Sequence, residues 1–265
     1  MRARKKPGAF PTLQRGEGKA NLQNFIGDTV MKTIGMIAGM SWESSAHYYR
    51  LLNEGVRDRL GGFHSAKCLM YSVDFAEVET LQRENRWEES AEMMADAARR
   101  LERGGADVII LCTNTMHKVA GAIEQSVRVP FLHIADPVAE RIRAQGLKTI
   151  GLLGTRFTMD EDFISGRLEK KFGLKVLLPE NDERSLIHRV IYEELVLGQV
   201  CPPSRDAYRQ IIARLVEAGA QGIILGCTEI GLLVKPEDSP VPLFDTTILH
   251  AEAALQWALA ESVQS

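Results

Sequence analysis

Residues 105–113 read GADVIILCT, and residues 219–228 read GAQGIILGCT. Both stretches begin with Gly-Ala, continue into a short apolar run and end on Cys-Thr. A short apolar run between turn residues and polar residues is typical of a strand buried in a parallel sheet. The repetition predicts that the chain contains the same α/β unit twice.

Two further pairs of segments support the duplication. Ile34–Gly39 (IGMIAG) resembles Ile150–Thr155 (IGLLGT), and Val129–Leu132 (VPFL) resembles Val241–Phe244 (VPLF). The pairs occur in the same order, and the separation between the copies is nearly constant. Segments of helical period lie between the strands, which predicts parallel sheets with helices on both faces. The sequence therefore predicts an α/β fold of two pseudosymmetric lobes.

The predicted organisation has three parts. Residues 1–30 form a basic extension, residues 31–131 plus 246–265 form the first α/β lobe, and residues 132–245 form the second. The extension holds six Lys and Arg residues against two acidic ones and lacks the apolar centre of a secretory signal. We expect it to be flexible.

Composition limits the function classes. The chain of 265 residues is 45% hydrophobic and 25% charged, with a net charge of -3. No apolar run approaches the length of a membrane helix, and the acidic body is a poor general binder of nucleic acid. The four cysteines have no zinc-site spacing and suggest free thiols in a reducing compartment. We therefore predict a cytoplasmic protein without a metal, a membrane or a nucleic-acid partner.

Two cysteines stand at the carboxyl ends of the repeated strands. Cys112 and Cys227 are each followed by Thr. Ligands of parallel α/β sheets bind beyond these strand ends, and pseudosymmetry would place both thiols on opposite sides of one cleft. The alternative is that both are structural cysteines buried in the core.

The residues after each cysteine favour a site for an anion. Thr113–Thr115 and Thr228-Glu229 lie where helices begin, and the free N–H groups of helix starts attract carboxylates. Two opposed thiols beside a carboxylate suit proton transfer at a carbon. One thiolate would remove a proton and the opposite thiol would return one to the other face, which inverts the centre.

Three motifs resemble the aspartate/glutamate racemase family, most closely its enterobacterial branch. They are MKTIGMIAGMSWESS at residues 31–45, LCTNTMHK at residues 111–118 and GCTEIGLL at residues 226–233. The resemblance implies two flavodoxin-like lobes with the active site between them. It also implies an amino-acid racemase that needs no cofactor.

The resemblance further implies the residues that act on an amino acid with a free carboxylate. The catalytic acid/base pair would be Cys112 and Cys227. The substrate-binding residues would be Met40, Ser41, Gln82, Thr113, Asn114, Thr115, Thr158, Thr228 and Glu229. A homodimer is what the family suggests.

The resemblance leaves the preferred amino acid open. Some archaeal members use an Arg and a Lys, for which Arg59 and Lys170 are the nearest candidates here; solvated helix charges are the alternative. His117 could orient the site.

Other functions remain as alternatives. They are a maleate isomerase or a decarboxylase of the same superfamily, and a carboxylate-binding protein without catalysis. The intact cysteine pair and the Cys-Thr-Glu context favour the racemase.

Overall fold

A computed structural model describes residues 31–260 and has two four-stranded sheets in which all strands are parallel. The strand order is β2-β1-β3-β4 in the first sheet and β6-β5-β7-β8 in the second. Both sheets thus repeat one flavodoxin-like order. The predicted α/β fold of two lobes is confirmed, and the predicted basic extension, residues 1–30, lies outside the described residues.

The first sheet consists of β1 (Ile34–Ala38), β2 (Cys68–Ser72), β3 (Val108–Leu111) and β4 (Phe131–Leu132). The second consists of β5 (Thr149–Gly154), β6 (Lys175–Leu177), β7 (Ile223–Gly226) and β8 (Leu243–Asp245). The helices of the first half are α1 (Trp42–Leu60), α2 (Phe75–Arg83), α3 (Trp87–Arg103), α4 (Ala120–Ser126) and α5 (Ala135–Ala144). Those of the second half are α6 (Arg156–Asp160), α7 (Asp162–Phe172), α8 (Asn181–Glu193), α9 (Pro202–Glu217), α10 (Ile230–Leu233) and α11 (Thr246–Leu259).

Two glycines show that the lobes are built on the same pattern. A Cβ atom on Gly35 of β1 would lie 3.2 Å from Leu101 of α3. A Cβ atom on Gly151 of β5 would lie 3.0 Å from Leu215 of α9. Each glycine therefore lets one helix pack close to its sheet, and α3 and α9 take equivalent positions.

The strand register follows the same equivalence. Ile37 of β1 pairs with Leu111 of β3, and Leu153 of β5 pairs with Leu225 of β7. Each pair lies two residues beyond the glycine of its β1 or β5 strand. Leu111 and Leu225 are therefore equivalent positions, and residues that follow them at the same distance are equivalent too.

The last helix packs on the first sheet. Ala254 and Leu255 of α11 share a buried cluster with Leu52 and Val56 of α1. The helix thus covers the first lobe, although it follows β8 of the second. The division into residues 31–131 plus 246–265 and residues 132–245 stays a prediction.

Between residues 31 and 260, no helix is both long enough and apolar enough to cross a membrane.

Candidate functional site

A small cavity lies between the lobes, where the loops after β1, β3, β5 and β7 meet. Eight of the predicted site residues line it: Met40, Gln82, Thr113, Asn114, Thr115, Cys227, Thr228 and Glu229. Thr155, which follows the end of β5 and could contact substrate, lines it as well. Sequence reasoning did not assign Phe75, Ile191, Tyr192 and Val196 to the site, yet they line the same cavity. Ligands of parallel α/β sheets bind at these strand ends, so this cavity is the candidate active site.

Cys112 does not line the cavity. Its exposed fraction is 0%, and it packs in the core cluster of the first lobe together with Ile110. Side chains alternate along a strand, so Cys112 shares the face of Ile110, which points towards α1 and α11. The structure thus corrects the expectation that the Cys112 thiol faces Cys227 across the cleft.

Thr113 takes the position that Cys112 was expected to hold. It lies two residues after Leu111, and Cys227 lies two residues after Leu225, so Thr113 and Cys227 are the equivalent residues of the two lobes. Both line the cavity, one from each lobe. A hydroxyl and a thiol, instead of two thiols, therefore occupy the matched positions.

Glu229 binds the Cys227 thiol. The Sγ–H of Cys227 donates to Oε2 of Glu229 at 3.0 Å, and the Thr228 hydroxyl donates to the same oxygen at 2.6 Å. Ser41 of the first lobe donates to Oε1 at 2.7 Å. Ser41 itself stands one layer behind the cavity, at the N-cap of α1. Three donors therefore hold the buried Glu229 carboxylate in place.

The surroundings of Cys227 favour the protonated thiol. Burial raises the pKa of the Cys227 thiol well above its ordinary value, and the charge of Glu229 raises it further. Burial also raises the pKa of Cys112, which has no carboxylate beside it. Cys227 therefore differs from Cys112 in having a hydrogen-bonded proton acceptor.

Replacing Glu229 by glutamine should lower the pKa of Cys227, because the neutral amide removes the charge that opposes thiolate formation. The measurement is the pH dependence of thiolate absorbance in a protein whose Cys68 and Cys201 are serine. We expect the midpoint to fall by about one pH unit or more. Glu43→Gln, which contacts no thiol, is the control. An unchanged or higher midpoint would contradict the assigned contact.

Asn114 presents an unpaired acceptor. Its Nδ2 donates to Thr246 Oγ1 at 3.0 Å, and that hydroxyl donates to the Leu225 carbonyl. The direction of these two hydrogen bonds fixes the orientation of the Asn114 amide. Thr246 donates its only hydroxyl proton to Leu225, so it must accept from the amide nitrogen of Asn114. Asn114 Oδ1 is buried and has no partner among the described residues. A buried acceptor at a cavity wall calls for a donor from a ligand.

Thr158 is fully buried and lies behind the cavity wall. Its hydroxyl bonds to that of Thr155, which in turn bonds to Thr115 of the other lobe at 3.0 Å. Thr155 lines the cavity and Thr158 does not. Thr155, and not Thr158, is therefore the residue placed to contact a ligand. Thr158 supports Thr155 through the hydrogen bond between their hydroxyls.

Gln82 and Tyr192 close one side of the cavity. The Tyr192 hydroxyl of α8 donates to Gln82 Oε1 of α2 at 3.1 Å, which joins the two lobes. This contact bounds the cavity on the side of α2 and α8.

A buried histidine cluster supports the Thr113 loop. His117 Nε2 accepts from the Ile134 N–H, so its Nδ1 carries the proton and donates to the Thr113 carbonyl at 2.8 Å. The rings of His133 and His250 lie edge-to-face with its ring, at centroid distances of 4.5 and 6.0 Å. Burial lowers the pKa of all three, to about 4 for His250 and to about 2 for His133. His117 is a neutral positioning residue, which is the orienting role considered for it.

The protein should lose stability as the pH falls through the range that protonates an unfolded histidine. Between the unfolded pKa of 6.5 and the folded pKa of about 4, the unfolded state binds a proton at His250 that the folded state does not. This group alone should lower the free energy of unfolding by about 2 kcal/mol at pH 5. Urea unfolding at pH 7.5 and 5 should show a smaller loss for His250→Gln than for wild type. The exposed His64→Gln is the control, and equal losses in all three proteins would contradict the prediction.

Arg59 and Lys170 lie outside the cavity. Arg59 donates to the Gly55 carbonyl on the surface of α1, and Lys170 pairs with Asp162 in α7. Both side chains are therefore helix-surface charges, the alternative that the sequence had left open.

The comparisons with known proteins point to one family. The family model for Asp/Glu/hydantoin racemases matches residues 37–254. A candidate Asp/Glu racemase from Yersinia pestis is 53% identical, with a TM-score of 0.82, covering 87% of this chain and all 100% of that one. An aspartate racemase homologue from Pyrococcus horikoshii OT3 is 35% identical, with a TM-score of 0.76 and coverage of 87% and 100%.

A curated relative is more distant. The broad-specificity amino-acid racemase RacX of Bacillus subtilis is 26% identical over 180 residues, which are 65% of this chain and 74% of the relative. The family that the three sequence motifs resemble is confirmed by these matches. The chain belongs to the Asp/Glu/hydantoin racemase family.

Proposed function

We propose that the protein is an amino-acid racemase that moves the α-proton between Cys227 on one face of the substrate and Thr113 on the other. The observation that carries the proposal is the placement of these two residues at matched positions of the two lobes, on one cavity. The name of the Bacillus subtilis relative, a broad-specificity amino-acid racemase, supports the reaction class.

Cys227 is the proposed base. Its proton passes to Glu229, 3.0 Å away, when the substrate binds. The positive α-ammonium group beside the sulfur then favours the thiolate. The thiolate takes the α-proton, and the carbon is left as a carbanion stabilised by its carboxylate. Thr228 and Ser41 keep Glu229 in place throughout.

Thr113 is the proposed donor on the opposite face. Its hydroxyl gives a proton to the carbanion, which completes the inversion. The Thr113 alkoxide then takes a proton from solvent, and Glu229 releases to solvent the proton that it received from Cys227. A hydroxyl ionises less readily than a thiol, so removal of a proton by Thr113 in the reverse direction is the more demanding step. The two halves of the reaction are therefore chemically unequal, unlike those of a site with two thiols.

The cavity wall offers groups for the substrate's ammonium and carboxylate. Asn114 Oδ1, which has no partner among the described residues, accepts from the ammonium. Hydroxyls of Thr115 and Thr155 line the cavity and can donate to the carboxylate. This arrangement holds the Cα–H bond between Cys227 and Thr113.

The test is incubation of the full chain with a panel of L- and D-amino acids in D2O, without added cofactor. Chiral chromatography and mass spectrometry then measure inversion and α-deuteration. Inversion with α-deuterium in the product supports the proposal. Deuterium-free products, or no reaction with any amino acid, would overturn it.

Three further expectations from the sequence stay predictions. They are a cytoplasmic location, a homodimer, and catalysis without a cofactor or metal. Dialysis against a chelator and a carbonyl reagent should leave turnover unchanged; a large loss would contradict the last of them.

A further inference from the structure

The walls of the cavity lack a positive charge. Across residues 31–260, no Lys, Arg or His side chain lines it, and its one charged wall residue is the anion Glu229. The rest of the wall consists of hydroxyls, amides, the Cys227 thiol, Gly226 and the apolar side chains of Met40, Phe75, Ile191 and Val196. We propose, on the basis of the racemase function above, that the enzyme prefers amino acids with uncharged side chains over aspartate and glutamate.

Two cations close in sequence to residues of the cavity wall are already engaged. Lys118 pairs with Glu161 at 2.7 Å and lies 3.8 Å from the centre of the Trp87 ring. Arg156, next to Thr155, bonds to Asp160 and to neighbouring side chains of α8. Neither side chain lines the cavity, so neither supplies a partner for a second carboxylate.

A second carboxylate would be costly in this site. The α-carboxylate of any amino acid already uses the hydroxyl donors of the wall. An aspartate or glutamate side chain would be buried without a cation and close to the negative charge of Glu229. Burying an unpaired charge is strongly unfavourable, whereas an amide or thioether of the same length fits an apolar and amide-lined wall.

Two surface grooves adjoin the cavity wall, and neither changes this conclusion. One lies beside Glu229 and holds Arg50 and His47, which are matched there by Glu43 and Glu229 itself. Burial also lowers the pKa of His47.

Gln82 and Tyr192 separate the cavity from the other surface groove, of about 430 Å³. Its two arginines, Arg83 and Arg189, are matched by two glutamates, and burial lowers the pKa of His188 in the same groove. A longer side chain that reaches past Tyr192 therefore meets no excess of positive charge.

Matched substrates test the inference. We expect kcat/KM for glutamine to exceed that for glutamate, and that for asparagine to exceed that for aspartate, by about tenfold or more. Equal or higher values for the acidic partner of either pair would overturn the inference while leaving the racemase function intact. Failure to invert or deuterate any amino acid would overturn the racemase function itself, and the inference with it.

A cation placed in the wall should reverse the preference. Gln82→Arg puts a guanidinium at the cavity edge, and we expect the ratio of glutamate to glutamine turnover to rise by about tenfold or more. Gln82→Met, which removes the amide without adding charge, should leave the ratio low. Circular dichroism of both variants reports folding, and the wild-type substrate pairs decide the question if either variant unfolds. A ratio that rises equally in both variants would contradict the role of charge.

Discussion

Replacing Cys227 by alanine should lower the rate of racemisation by about 100- to 10,000-fold, the usual contribution of a general acid or base. Cys227 is the thiol that lines the cavity and the one that Glu229 contacts. Removing its sulfur takes the base from one face of the α-carbon and leaves nothing at that position to replace it. The rate of inversion in both directions, followed by chiral chromatography, is the measurement.

The loss should come without unfolding. Cys227 sits at the cavity edge of the second lobe, so the missing sulfur leaves a smaller core defect than a buried Leu→Ala change would. Cys201→Ala, at the start of α9 and away from the cavity, should keep wild-type activity and serves as the matched control. A folded Cys227→Ala protein with near wild-type turnover would remove Cys227 from the reaction.

Thr113 should be nearly as important as Cys227. In Thr113→Val the shape is kept but the hydroxyl is lost, so we expect racemisation to fall by about 100-fold or more. Thr113→Ser keeps the hydroxyl and should retain most of the activity. Thr113→Cys places a thiol opposite Cys227 and should also racemise, with kcat values in the two directions closer to each other than in wild type.

This series separates chemistry from structure. The Thr113 carbonyl, which His117 binds, is unchanged by all three substitutions. The melting temperature should therefore vary little, while activity follows the presence of a proton donor. Full activity in Thr113→Val, or equal losses in the valine, serine and cysteine variants, would contradict the assignment of the hydroxyl.

The fold could be predicted because the repeat encodes it. The apolar runs around Ile109 and Ile223 specify buried strands, and Gly35 and Gly151 recur where one helix must come close to each sheet. The same local patterns give the same strand order in both lobes. Local sequence is sufficient here because strand and helix periods are local properties.

The cavity residue of the first lobe that matches Cys227 was predicted one residue out of register, as Cys112 instead of Thr113. Aligning the two repeats on their cysteines needs an extra residue in the second copy, whereas aligning Gly105 with Gly219 needs none and pairs Thr113 with Cys227. Hydrogen-bonded strand pairs set the register, and a shift of one residue turns a side chain to the opposite face. The alignment of the glycines indicates the correct register. The two cysteines suggested a different register because they are chemically alike.

Other wall residues had no local signal. Tyr192 lies on α8 and Phe75 on α2, and both reach the cavity only because the two lobes pack against each other. Helix α2 was not expected; Asp74 begins it by capping the Ala76 N–H. Contacts made by the packing of distant elements cannot be deduced from the periodicity of either element alone.

The activity of Cys112→Ala tests the central claim most directly, because it separates a Cys/Thr site from a site with two cysteines. The structure buries Cys112 in the core of the first lobe, away from the cavity. We predict a folded protein that racemises at close to the wild-type rate and loses about 1 kcal/mol of stability from the missing core atom. A folded Cys112→Ala protein whose racemisation rate falls by at least about 100-fold would contradict the account and restore Cys112 as an acid/base residue.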